Sequence, residues 1–141
     1  MCSSFRRAAR GVTQIYEEAL RPLGLRVTQF TVLQVLALAG EVSQGRLGAM
    51  MAMDSTSLTR TLAIMIRRGW LAERRGEDRR ERWLSLSDAG EAQLNRALPA
   101  WEGVQARLHD QLGDQAWTSL QQLIYQVATV ATTHTSEGEM L

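Results

Sequence analysis

Apolar residues recur at three- and four-residue steps through most of this chain, and two short stretches break that rhythm. Over residues 4–22, Phe5, Ala8, Ala9, Val12, Ile15, Tyr16, Ala19 and Leu20 keep the period of one helix face, and Pro22 with Gly24 closes the pattern. A second helix is predicted to open at Thr28 as N-cap, to turn Phe30, Leu33, Leu36 and Ala37 inward and to end at Gly40. Ser43 caps a short third helix with Leu47, Met50 and Met51 inward. Asp54 caps a fourth, whose apolar face is Leu58, Leu62, Met65 and Ile66, and Gly69 ends it. Trp70-Leu71-Ala72 and Trp83-Leu84-Ser85-Leu86 read as two short strands joined by a charged loop. Ser87 caps a fifth helix carrying Leu94, Leu98, Trp101, Val104 and Leu108, which Pro99 should kink or divide because it lacks an N–H donor. Gly113-Asp114 starts a sixth, with Trp117, Leu120, Leu123, Ile124, Val127 and Val130 on one face. From residue 133 the period lapses and a frayed tail is expected. The fold class is therefore mainly α with a small β-hairpin.

Charge sharpens this picture at one place. The net charge is +1, yet all 16 basic residues are Arg and they are unevenly placed. Residues 60–82 hold eight Arg against four acids, whereas residues 83–141 hold two Arg against seven acids. A weak global charge with one concentrated basic stretch points to a single polyanion-facing surface. The 141 residues suit one domain, 1–141, and a hydrophobic content of 45% is enough for a packed core. No apolar run is long enough to span a membrane, and the N-terminal residues lack the apolar core of a secretory signal. The one cysteine, Cys2, cannot form an internal disulfide, so a reducing, cytoplasmic location is expected.

The order helix, tight connection, helix, strand, basic loop, strand has a chemical use. A helix-turn-helix sends its second helix into the major groove N-terminus first, and the helix opening at Asp54 fits that role. With Leu58 turned inward, Ser55, Thr56, Ser57, Thr59 and Arg60 remain for the outer faces. Small hydroxyls bond phosphates or base edges at close approach, and Arg takes a guanine edge with two donors. Ser and Thr are also preferred at any helix start, so the plain structural alternative stands beside this one. Between the strands, Arg74, Arg75, Arg79, Arg80 and Arg82 could lie along a phosphate track or enter a narrow minor groove. Asp78 would weaken a simple basic patch but makes sense if its carboxylate orients Arg80. A merely solvated hairpin is the alternative.

The run Asp54-Ser55-Thr56-Ser57-Leu58-Thr59-Arg60 is followed by Arg68-Gly69-Trp70-Leu71, Glu77-Asp78-Arg79-Arg80 and Leu84-Ser85-Leu86-Ser87-Asp88-Ala89-Gly90. Together with Leu25 to Leu33 upstream, this set resembles the MarR family of winged helix-turn-helix transcription regulators, over roughly residues 5–130. The resemblance implies a homodimer, with dimerisation helices in 1–24 and 88–134, a winged helix-turn-helix over 28–87, and a tail over 135–141. It implies double-stranded DNA with a pseudo-palindromic site as the partner, and commonly repression relieved by a small phenolic or lipophilic effector. Arg80 matches the last position of the family's Asp-x-Arg wing motif and becomes the minor-groove candidate. Asp78 becomes its orienter, and Arg79 and Arg82 become phosphate candidates. Dimerisation also follows from the residues, because a thin winged domain cannot cover the apolar faces of both the first and the sixth helix.

An effector pocket is expected where the dimerisation helices meet the winged region, lined by Tyr16, Leu20, Phe30, Leu33 and Trp101. The same residues would equally serve as core. Cys2, with Arg6 and Arg7 nearby, opens an alternative: a thiol sensor acting through an intermolecular bond. In the family's hydroperoxide sensors the reactive cysteine falls near position 8, which is Ala8 here. A protein-binding adaptor that does not use its winged region on DNA is a further alternative. His109 and His134 have no metal-ligand spacing, and neither a phosphate loop nor a nucleophile elbow is present, so no metal, cofactor or catalysis is expected.

Overall fold

A computed structural model describes residues 1–138, and of 132–138 the backbone alone. The elements are α1 (Cys2–Leu20), a 3₁₀ turn (Arg21–Leu23), α2 (Val27–Ala39), β1 (Val42–Ser43), α3 (Gln44–Met51) and α4 (Ser55–Arg67). They continue with β2 (Leu71–Arg75), β3 (Arg82–Leu86), α5 (Asp88–Leu112) and α6 (Asp114–Gly138). Three strands form one antiparallel sheet in the order β1-β3-β2. The hairpin runs from Leu71 opposite Leu86 to Arg75 opposite Arg82, and Val42 and Ser43 pair with Leu84 and Trp83.

Local chemistry explains most element ends. Gly24 adopts φ 71°, a left-handed conformation that lets the chain reverse after the 3₁₀ turn. The α2 helix starts a residue before Thr28, so that residue lies inside the helix. Its first free amides are taken by side chains instead: Glu17 accepts from the Val27 N–H (3.0 Å) and Gln29 from the Arg26 N–H (3.0 Å). Ser43 caps α3 by accepting from the Arg46 N–H at 3.3 Å, and Asp54 caps α4 by accepting from the Ser57 N–H at 2.8 Å. Between these helices, Ala52 holds φ 50°. Ser87 caps α5 by accepting from the Gly90 N–H at 3.0 Å. That helix runs on through Pro99, so of the kink or division expected there, division does not occur.

The core gathers Leu20, Leu25, Phe30, Leu33, Leu36, Leu47, Leu58, Leu62, Met65, Leu71 and Leu84. Met51 and Met53 pack against it, but Met50, expected inward, is half exposed. The chain divides into two compact units, Met1–Glu102 and Gly103–Leu141. On α6, Leu120, Leu123, Ile124, Val127 and Val130 are all exposed, as are Phe5 and Val12 on α1. The α6 helix continues to Gly138, into the tail expected over 135–141, and residues 139–141 lie outside the described residues. No single helix among the described residues is long and apolar enough to cross a membrane.

Candidate nucleic-acid interface

The N-terminal half of α4 presents the hydroxyl face that the sequence predicts. Leu58, Leu62 and Met65 are buried, which leaves Ser55, Thr56, Thr59, Arg60 and Ala63 lining one open groove of about 410 Å³. Ser57 is exposed but lies off this groove, and its backbone N–H serves the Asp54 cap. That hydrogen bond holds the Asp54 carboxyl below its ordinary pKa, because the ionised form is the better acceptor. Thr59 is not left to itself. Gln44, the first residue of α3, donates from Nε2 to Thr59 Oγ1 at 3.0 Å. The sequence reading missed Gln44, since nothing local marks a contact fifteen positions away.

The hairpin sorts its arginines into two groups. Arg74 lies in β2, and its guanidinium reaches across the sheet, 5.2 Å over the Trp83 ring, to grip both carboxylate oxygens of Glu41. The side-chain hydrogen bond from Arg74 lowers the Glu41 pKa and raises that of Arg74. Arg82 in β3 is likewise paired with Glu73 of β2, through Nε at 2.9 Å and through Nη2. Both of these Arg82 donors reach the one oxygen Oε2 of Glu73 on the neighbouring strand, so an acid engages part of its guanidinium. Arg75 donates to the Arg79 carbonyl at 3.4 Å.

The tip is a tight turn over residues 76–81. The Gly76 N–H donates to the Glu81 carbonyl (2.9 Å) and the Glu81 N–H to the Asp78 carbonyl (2.9 Å). Asp78 Oδ1 accepts from the backbone N–H of Arg80 at 3.0 Å. Asp78 therefore acts on Arg80 through that residue's backbone N–H. A Cβ at Gly76 would come within 2.8 Å of Glu81 Oε2 and 2.9 Å of Trp83 Nε1, so those side chains would have to shift to admit one. Arg79 and Arg80 are exposed, and their guanidinium groups meet no acid among the described residues.

Four of the five expected effector-pocket residues do meet. Tyr16, Leu20, Phe30 and Trp101, with Val27, Thr31 and Gln34, line a cavity of about 220 Å³. The Phe30 and Trp101 rings stack at a tilt, 6.1 Å between centroids, and burial raises the Tyr16 pKa. Leu33 is the exception. It is fully buried in the core and does not line the cavity. Cys2 is an exposed free thiol at the start of α1. Among the described residues no group of His, Cys, Asp and Glu could hold a metal ion.

Comparison with known proteins places this geometry. The family model described as MarR family matches residues 23–81. The uncharacterized HTH-type transcriptional regulator YwoH of Bacillus subtilis (strain 168) is 31% identical over 85 residues, which are 60% of this chain, and the match spans 62% of that regulator's length. The crystal structure of the M. tuberculosis transcriptional regulator MosR in complex with DNA is 37% identical, covers 94% of this chain and 96% of its own, and superposes with a TM-score of 0.83. An E. coli MarR variant complexed with operator DNA, at 21% identity, shares the fold over 89% of this chain with a TM-score of 0.81.

Proposed function

The chain belongs to the MarR family of transcription regulators, and from that premise we propose that it is a cytoplasmic homodimer that binds a pseudo-palindromic site on double-stranded DNA. The observation that carries this reading is the division among the hairpin arginines. Arg74 and Arg82 pair with Glu41 and Glu73, while the guanidinium groups of Arg79 and Arg80, at the tip of a braced hairpin, meet no acid among the described residues. In this reading α4 enters the major groove, with Ser55, Thr56, Thr59 and Arg60 toward the duplex and Ser57 at its edge. Arg80 enters the minor groove, Arg79 meets phosphate, and Asp78 keeps the turn in shape for both. Arg82 serves the hairpin. The complex of MosR with DNA supports the duplex as partner.

The exposed apolar residues of α6 and α1 support a second copy as the other partner. The cavity beside Phe30 and Trp101 is the place for a small lipophilic or phenolic effector whose binding relieves repression. Duplexes selected from genomic fragments test the central statement. Affinity should fall steeply as salt rises, and at matched salt Arg80→Ala should lower it about tenfold or more while the protein keeps its oligomeric state. Unchanged affinity in that variant would remove Arg80 from the interface, and salt-independent or absent binding would overturn the reading as a whole.

A further inference from the structure

We infer that Gln44 is a positioning residue that fixes which way Thr59 offers its hydroxyl, making Thr59 a directed hydrogen-bond donor toward the duplex; this rests on the DNA-binding reading above. A threonine hydroxyl has one proton to donate and two lone pairs to accept with. Inside a helix it commonly turns its proton back onto the carbonyl four residues earlier. Thr31 does so onto Val27 at 3.0 Å, and Thr129 onto Tyr125 at 2.9 Å. Thr59 instead accepts from Gln44 Nε2 at 3.0 Å, so one lone pair is filled and the proton is left to point elsewhere. Its surroundings are the groove formed by Ser55, Thr56, Arg60 and Ala63.

The second observation concerns the other end of the same amide. Gln44 Oε1 is buried and has no hydrogen-bond partner among the described residues. An unmet buried acceptor works against folding, and an apolar side chain of similar shape would remove that penalty. Core packing therefore does not account for an amide at this position, whereas orienting Thr59 does. The groups a Thr59 donor would select are acceptors: purine N7, guanine O6 and thymine O4 on the major-groove edge, or a phosphate oxygen.

A double-mutant cycle tests this, using Gln44→Met, Thr59→Val and the pair in the full-length dimer. Binding is compared on the selected duplex and on a scrambled duplex of equal length at the same salt. Each single change should lower affinity for the selected duplex about fivefold, and the pair should lose no more than either alone, because both remove one directed proton. A loss confined to the selected duplex assigns the acceptor to a base edge, and an equal loss on both assigns it to phosphate. The Gln44→Met protein should melt no lower than the original, which separates positioning from support of the fold. Full affinity in Gln44→Met alongside a loss in Thr59→Val, or additive losses, would overturn the role of Gln44 and leave DNA binding standing. No duplex binding by the unaltered protein would overturn both.

Discussion

Ala52 is the described non-glycine residue with positive φ, at 50°, and it sits in the turn that joins α3 to α4. A left-handed backbone brings Cβ against the neighbouring carbonyl, and glycine is relieved of that contact. Ala52→Gly should therefore raise stability by about 1 kcal/mol, less whatever freedom glycine adds to the unfolded chain, as read from urea denaturation. At this scale the sequence shows which residues are available but not how they are spoken for. The helix caps at Ser43, Asp54 and Ser87 are legible because each is a local contact, three positions from its partner. The arginines of the hairpin are not. Arg74 meets Glu41 across thirty-three positions, and Arg82 meets Glu73 across nine, so a run that reads as one basic patch becomes two ion-pair braces, Arg75 bonded to the Arg79 carbonyl, and two guanidinium groups that meet no acid among the described residues. Leu33 and Met50 are misplaced for a related reason: helical spacing tells which face a residue shares, but not what stands opposite it.

Helices and hairpin both depend on one close approach. In the first turn of α5, a Cβ on Gly90 would lie 2.0 Å from the Trp70 carbonyl oxygen, which accepts from the Ser87 N–H at 3.1 Å. Backbone cannot swing aside as a long side chain can, so Gly90→Ala should cost about 1–3 kcal/mol or more, measured as a drop in the denaturation midpoint. Its effect should exceed that of Ala substituted at Gly103, where a Cβ meets nothing within 4 Å. Element types were legible because the periods of helix and strand differ. The strand β1 was not, since Val42–Ser43 is too short to alternate and exists only through its pairing with β3. Pairing also carries β2 on through Glu73, Arg74 and Arg75, residues that composition alone assigns to a loop. Pro99 removes a single donor from a helix of 25 residues, and the remaining ladder holds the helix together.

For the whole molecule, the strongest unmet demand is on α6. Leu123 is 57% exposed and Ile124 55%, and a face of that composition is costly to leave in water. Ile124→Asp should leave helix content intact in the single protomer but halve the mass seen in sedimentation. DNA affinity should fall with it, because two half-sites need two copies. A dimer that survives this change would place the interface elsewhere. Ser43 ties the parts together in another way. It pairs with Trp83 in the sheet, and its hydroxyl is also the acceptor for the first turn of α3. One residue thus belongs both to the sheet that carries the wing and to the cap of α3. Through that shared residue a change at the wing is expected to reach the start of α3, from which Gln44 bonds Thr59. Releasing the clasp over Trp83 with Arg74→Met should accordingly quicken hydrogen exchange at the Arg46 amide, and an unaltered rate there would mean that wing and helix flex on their own.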